Sequence, residues 1–150
     1  PFKNISLNEE INIKGKIYDG NNDPIIDAMI ETWQCDENGK YFNYQGFSRR
    51  VTDFKTGEYQ LKTIRPGNQI NEDGTISPSY ILFWIVARGM NRPLITRMYF
   101  DENEIKSDVM FKNLSIQDRL KTLIPYTEDK KNFVFDIHLQ GKKETIFFEF

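Results

Sequence analysis

The feature that most constrains this chain is an unbroken apolar run of seven residues, Ile81–Ala87, reading I-L-F-W-I-V-A. Such a run is short for a helix and rich in β-branched and aromatic types, so it predicts a strand buried on both faces. Arg88-Gly89 ends the run, and after Pro93 the residues Leu94–Phe100 alternate in character. The two stretches predict a central β-hairpin. Arg88 is then a fixed charge at the end of the most buried strand, although on its own such an arginine could simply cap a surface turn.

Further alternating stretches predict most of the remaining structure, because alternation of apolar and polar residues is typical of half-buried strands. A tight turn at Lys55-Thr56-Gly57 separates extended residues at Val51 and Thr52 from one of these stretches, and we expect a hairpin there. The predicted strands are Ile11–Tyr18, Ala28–Cys35, Tyr59–Ile64, Phe133–Leu139 and Thr145–Phe150.

Loops account for most of what lies between these strands. Arg65–Ser79 carries two prolines and two glycines and reads as one long excursion, of the kind that often carries function. Asp101–Asn113 is polar and irregular. Ser115, followed three residues later by Asp118, gives a capping signal for one short helix through Leu120. We therefore predict an all-β, antiparallel β-sandwich with long loops and one short helix, formed by residues 1–150 as one domain.

Composition and charge indicate which classes of function to set aside. The chain has 20 basic and 22 acidic residues and a net charge of −2, so neither a nucleic-acid groove nor a basic membrane patch is expected. No apolar run is long enough for a membrane-spanning helix. One cysteine, Cys35, precludes an internal disulfide and favours a reducing cytoplasm. The one histidine, His138, cannot complete a zinc site of the usual type with Cys35, nor a confident catalytic triad.

Five blocks of the chain carry a resemblance to the intradiol ring-cleavage dioxygenases, whose fold is a β-sandwich. The most specific runs from Gly15 to Tyr41, G-K-I-Y-D-G-N-N-D-P-I-I-D-A-M-I-E-T-W-Q-C-D-E-N-G-K-Y. The others follow in the family's order: T-G-E-Y-Q-L-K-T-I-R-P-G (Thr56–Gly67), A-R-G (Ala87–Gly89), T-R-M-Y-F-D (Thr96–Asp101) and F-D-I-H-L-Q-G-K-K-E-T-I-F-F-E-F (Phe135–Phe150).

The resemblance points to a branch of the family built from two homologous chains, in which the β chain holds Fe(III) with two tyrosinates and two histidines. The positions matching those ligands are Tyr41, Gln69, Tyr80 and Leu82, so three of the four ligand types are missing. A lone Tyr41 cannot hold iron. The resemblance therefore implies an α chain with no catalytic residues, metal or cofactor of its own, which relies on Fe(III) in a β-chain partner.

The same resemblance implies a function for the assembled pair. The partner would insert both atoms of O2 into protocatechuate to give 3-carboxy-cis,cis-muconate, an oxidoreductase step of the β-ketoadipate pathway of aromatic catabolism. Arg88 matches an arginine through which α chains reach the shared substrate pocket. A family arm with a Thr-x-Gly-Pro-Tyr motif does not precede Ile11, so we expect that arm to be missing. The alternative is a free-standing β-sandwich binding or scaffold module that has lost the iron site.

An aromatic cluster within one loop raises a separate expectation. Tyr41, Phe42, Tyr44 and Phe47 lie within seven residues, more large apolar side chains than a lone domain needs outside its core. We expect them to form an interface with the β chain around a pseudo-twofold axis. Inward packing of the same loop is the open alternative.

Overall fold

A computed structural model describes residues 10–41, 45–106, 108 and 117–149, and most of these form two sheets packed face to face. The strands and the one α-helix are β1 (Glu10–Tyr18), β2 (Met29–Trp33), β3 (Phe47–Val51), β4 (Glu58–Ile64), β5 (Gln69–Ile70), β6 (Ile76–Ser77), β7 (Tyr80–Val86), β8 (Leu94–Tyr99), α1 (Glu102–Lys106), β9 (Tyr126–Thr127), β10 (Asn132–Val134) and β11 (Ile137–His138), with a 3₁₀ helix at Gln117–Leu123.

The first sheet is organised around β1, which pairs antiparallel with β4 and parallel with both β10 and β11, while β9 pairs with β10. The second sheet has the order β3-β2-β7-β8 and is antiparallel throughout. β5 and β6 form a small separate hairpin inside the long excursion that follows β4. The β-sandwich prediction is confirmed, as is the central hairpin β7–β8, whose register runs from Tyr80 opposite Tyr99 to Ile85 opposite Leu94.

The core lies between the two sheets, where alternate residues of each strand meet. Phe83 of β7 contacts Tyr59 of β4 and Phe135 beyond β10, with ring centroids 6.0 Å and 5.2 Å apart. The predicted burial of β7 on both faces is wrong for the isolated chain. Its inward residues have no exposure, but Trp84 and Val86 are each 37% exposed, because nothing within the described residues covers that part of the outer face.

The turn at residues 53–57 is tight, as predicted, but it does not close a hairpin. The carboxylate of Asp53 accepts hydrogen bonds from the backbone N–H groups of Lys55 and Thr56, at 2.7 and 2.9 Å. β3, before the turn, pairs with β2, whereas β4, after it, pairs with β1 in the other sheet. The turn therefore carries the chain from one sheet of the sandwich to the other. A local sequence signal cannot reveal which distant strands β3 and β4 will pair with.

Two further elements differ from their predictions near the C-terminal end. The α-helix lies at Glu102–Lys106, in the stretch expected to be irregular, and Asp101 caps it by accepting from the N–H of Asn103 at 2.7 Å. Ser115 lies outside the described residues, and the helix expected through Leu120 is the 3₁₀ helix. The final predicted strand is reduced to one isolated bridge, in which Phe148 pairs with Ile95.

Some sequence expectations concern properties other than strands. Cys35 is a free and fully buried thiol. In the part of the chain that the structure describes, no helix is long and apolar enough to cross a bilayer.

Candidate functional site

The four positions singled out by the resemblance lie on or beside the outer face of the second sheet. Tyr80 and Leu82 alternate with the buried Ile81 and Phe83 along β7, so both side chains point away from the core. Tyr41 comes from the loop after β2. Gln69 opens β5, and its Nε2 donates to the Tyr41 hydroxyl at 3.4 Å. The Tyr41 hydroxyl also interacts with that of Tyr80, so the structure brings three positions from distant parts of the sequence together.

Two glycines allow the loops that carry Tyr41 and Gln69 to approach. Gly39 has a φ of 79°, and a Cβ there would lie 2.1 Å from the carbonyl oxygen of Asn68. A Cβ on Gly67 would lie 2.4 Å from the carbonyl oxygen of Glu37, and the Gly67 N–H donates to the Asp36 carbonyl at 2.8 Å. Any side chain at either glycine would force the loops apart. These glycines belong to the stretches that carried the resemblance.

The electrostatics of this cluster favour a neutral phenol at Tyr41. Burial, together with the neighbouring Tyr80 and Cys35, raises the pKa of the Tyr41 hydroxyl to about 12. The side chain is 53% exposed overall, but its hydroxyl end is the part that lies among these neighbours. Tyr41 is therefore protonated at neutral pH and is a poor source of a tyrosinate.

Arg97 is the residue of this cluster that the sequence reasoning missed. It lies on β8 directly opposite Leu82, and its guanidinium carbon is 4.2 Å from the ring centroid of Tyr80. The guanidinium also lies 5.4 Å from the ring centroid of Phe148, and its Nη1 donates to the Tyr99 hydroxyl at 3.2 Å. The signal that could have identified Arg97 was the register of the predicted hairpin. That register places the one charged residue of β8 opposite Leu82, a candidate ligand position.

A metal does not fit this set of residues. Ferric iron is held by anionic, hard donors, and here the four positions offer a neutral phenol, a carboxamide, a phenol beneath a guanidinium and an alkyl chain. Among the described residues, no cluster of three or more His, Cys, Asp or Glu side chains is placed to bind a metal ion. The structure brings these positions together, but their side chains are not the donors that ferric iron requires.

Arg88 is not part of this cluster. It follows the far end of β7, about 25 Å from Tyr80 at the usual rise per residue of a strand. Its side chain is 88% exposed, and its Nε lies 3.2 Å from Oδ2 of Asp27. The structure thus separates Arg88, the pocket residue predicted by the resemblance, from the four positions that the resemblance matches to iron ligands.

His138 and Cys35 have ordinary structural surroundings. The His138 ring stacks on Tyr18 of the first sheet, with centroids 4.8 Å apart and planes 13° apart, and burial lowers its pKa. The Cys35 thiol donates to the carbonyl of Gly67 at 3.4 Å, and burial raises its pKa.

The other notable feature is a part of the outer surface of the second sheet that the described residues leave partly exposed. We call the residues Met29, Glu31, Trp33, Phe47, Arg49, Val51, Leu82, Trp84 and Val86 the open sheet face. The rings of Trp33 and Phe47 contact there in a tilted arrangement, with centroids 4.7 Å apart, and Arg49 pairs with Glu31 at 2.6 Å. Phe42 and Tyr44, predicted to join such a surface, lie outside the described residues.

Comparisons with known proteins define the class to which this fold belongs. Residues 3–141 match the profile of the family described as Dioxygenase (Dioxygenase_C), and the chain belongs to that family. The chain is 38% identical to the protocatechuate 3,4-dioxygenase alpha chain of Pseudomonas putida, over 95% of its own length and 77% of that relative. It is 28% identical to the protocatechuate 3,4-dioxygenase beta chain of Burkholderia cepacia, over 93% of its length and 68% of that chain.

Solved structures agree on the fold. The 3-chlorocatechol 1,2-dioxygenase of Rhodococcus opacus 1CP aligns with a TM-score of 0.72 at 20% identity, covering 92% of this chain and 62% of that one. The intradiol ring-cleavage dioxygenase of Tetranychus urticae aligns at 0.64 and 18% identity, covering 87% and 80%. The chain therefore spans about three-fifths of the chlorocatechol enzyme. The predicted resemblance to intradiol dioxygenases is confirmed.

Proposed function

We propose that this chain is the non-catalytic α subunit of a protocatechuate 3,4-dioxygenase. In this role it supports the O2-dependent cleavage of protocatechuate to 3-carboxy-cis,cis-muconate at an Fe(III) site in a homologous β subunit. The observation that carries the proposal is the family's sandwich, in which Gln69 and Tyr80 both contact Tyr41. The resemblance predicts that Gln69, Tyr80 and Leu82 stand where catalytic chains carry iron ligands. The 38% identity to an alpha chain supports the same reading. The free-standing binding module is not favoured, because relatives named as subunits match nearly the whole chain.

The open sheet face is the surface we propose for the β subunit. It combines two tryptophans with a central ion pair, whereas lone surface apolar residues are commonplace. Interfaces are enriched in aromatic residues and arginine, which matches this surface. A homologous partner would present a related sheet, so the two chains would meet around a pseudo-twofold axis.

Arg88 is the residue we propose to reach the partner's substrate. A catecholate bound through its two oxygens leaves the carboxylate of protocatechuate pointing away from the metal. A guanidinium at the pocket mouth attracts that carboxylate without touching the reacting atoms. The 88% exposure of Arg88 leaves it available to a neighbouring chain, since a single exposed ion pair with Asp27 restrains it only weakly.

Coexpression with a β chain that carries the complete ligand set tests the subunit role. We expect the two chains to copurify as a complex that contains iron and cleaves protocatechuate, with the cytoplasm as its compartment. A chain that remains separate from every such partner, under conditions where that partner binds its own α subunit, would contradict the proposal.

A further inference from the structure

We propose that Arg97 excludes metal from this chain by placing a fixed positive charge where a metal cation would have to sit. On this view two features disfavour iron at this place, the missing ligands and the positive charge of Arg97. Restoring them while keeping Arg97 will not restore metal binding. The inference concerns the isolated chain, and it does not depend on the proposed subunit role.

The first step of the argument is the position of the guanidinium. Residues directly opposite on antiparallel strands have Cβ atoms about 4.5–5.5 Å apart. Arg97 of β8 is directly opposite Leu82 of β7. Its side chain lies over the ring of Tyr80, which precedes Leu82 by two residues on β7. Any metal held by side chains at positions 80 and 82 would therefore lie beside the guanidinium.

The second step is that Arg97 is held in this place. Aromatic rings contact it on two sides, from Tyr80 and Phe148, and its Nη1 donates to Tyr99. The Tyr99 hydroxyl in turn donates to the buried carboxylate of Asp108 at 2.9 Å. Leaving this position would cost the guanidinium several partly buried contacts, so it is unlike a free surface arginine that could swing away from an incoming cation.

The third step is the size of the repulsion. A guanidinium stays charged at all physiological pH values, so protonation equilibria cannot remove its charge. Two positive charges a few ångströms apart in a partly buried site repel strongly, and the repulsion scales with the metal's charge. A trivalent cation is therefore disfavoured more than a divalent one, and both are disfavoured relative to a site without Arg97.

The experiment begins from a ligand-restored chain carrying Gln69→Tyr, Tyr80→His and Leu82→His. It is compared with the same chain carrying, in addition, Arg97→Met, Arg97→Lys or Arg49→Met. Arg49 is the matched control, because it is a cation on the same sheet face but two strands from β7, and is paired with Glu31. Each full-length chain is incubated with ferrous ammonium sulfate, oxidised in air and desalted. Bound iron and the visible tyrosinate band are then measured.

We expect close to one iron per chain, with the visible band, only where Arg97→Met is present. The other three chains should bind iron at least tenfold more weakly, because each keeps a cation at position 97. Equal iron binding with Arg97 retained would overturn the proposal. So would a folded Arg97→Met chain that binds no iron, or an Arg49→Met chain that gains as much as the Arg97→Met chain does.

A chain with only two substitutions provides a second test if the chain with all three restored ligands fails to fold. Tyr80→His with Leu82→His places two imidazoles on one face of β7, and this pair is titrated with Ni²⁺ with and without Arg97→Met. Imidazole is a good ligand for Ni²⁺, and water can complete the coordination of a nickel ion held by two histidines. We expect Arg97→Met to tighten Ni²⁺ binding at least about tenfold and Arg97→Lys to leave it unchanged. No tightening on loss of Arg97 would refute the inference.

Discussion

Arg88 and Asp27 form an ion pair, with Nε 3.2 Å from Oδ2, that joins the turn after β7 to the segment just before β2. Both residues lie at the end of the second sheet that is remote from Tyr80 and Leu82. The pair is exposed and so contributes little to stability. The pair therefore restrains Arg88 only weakly, at the rim of the sheet.

Arg88→Ala in the assembled complex should raise KM for protocatechuate far more than it lowers kcat, because the carboxylate is bound alike in ground and transition states. A charged hydrogen bond of about 1.5–3 kcal/mol corresponds to a roughly 10- to 150-fold effect. Steady-state kinetics with catechol, which lacks the carboxylate, should change little. Arg92→Ala, in the same turn, is the control. Equal losses for both substrates would mean that Arg88 serves only the hairpin or the subunit contact.

The purified chain should be colourless and free of stoichiometric iron after exposure to ferrous salt and air. The reason is the neutral Tyr41 phenol, with a pKa of about 12, together with Gln69 and Leu82 at ligand positions. Metal analysis and a visible spectrum check this expectation. A coloured sample holding one iron per chain would show that the ligand assignment is wrong.

Trp84→Arg should weaken association with the β subunit while leaving the chain folded, because Trp84 is 37% exposed and lies in the middle row of the open sheet face, opposite Glu31. Truncating or charging a central aromatic anchor typically costs 2 kcal/mol or more, so we expect at least about a 30-fold rise in Kd by titration calorimetry. Tyr126→Arg, on the other sheet and 63% exposed, is the control. Unchanged binding of the Trp84 variant would place the interface elsewhere.

Tyr59→Phe should lower the free energy of unfolding by about 1–3 kcal/mol, because it removes the hydroxyl that donates to the buried carbonyl of Phe135. The same carbonyl faces Gly15, where a Cβ would lie only 2.0 Å away, so little else can approach it. Urea denaturation measures the change. Tyr126→Phe, which loses an exposed hydrogen bond to Glu128, should have a much smaller effect. Equal effects would show that burial of the Tyr59 hydroxyl does not matter.

His138 should titrate below the ordinary histidine value of about 6.5, because burial beside Tyr18 lowers its pKa. The unfolded chain then binds a proton more readily than the folded chain. Stability is therefore highest above the unfolded pKa and falls as pH drops toward the folded pKa. The chain has one histidine, so NMR follows it without overlap. His138→Gln should flatten the pH dependence as the pH falls below about 6.5, relative to the parent chain, and an unchanged slope would contradict the assignment.

Local pattern predicted a large part of the fold. Alternation predicted β1, β4 and β8 to within one or two residues, because a side-chain period of two is set within a strand by its own residues. The unbroken apolar run predicted β7 equally closely. The Gly-containing turns were also predictable, since Gly57 and Gly141 have positive φ values that favour glycine over residues with a Cβ. A capping signal at Asp101 and Glu104 was present for α1 but was overlooked.

Only the tertiary structure determined which segments that are distant in sequence pair or contact one another. The sequence alone predicted β4 as a strand and an extended backbone at Val51 and Thr52, but only packing put β3 and β4 in different sheets. It likewise identified Tyr41, Gln69 and Tyr80 as related positions through resemblance, whereas their contact depends on loops meeting at Gly39 and Gly67. Arg97 emerged only from cross-strand register, and the exposure of Trp84 only from the lack of a covering layer over that part of β7 in the described chain. Periodicity is a property of neighbours along the chain, but strand partners, close loop contacts and uncovered faces depend on how segments far apart in sequence share one core.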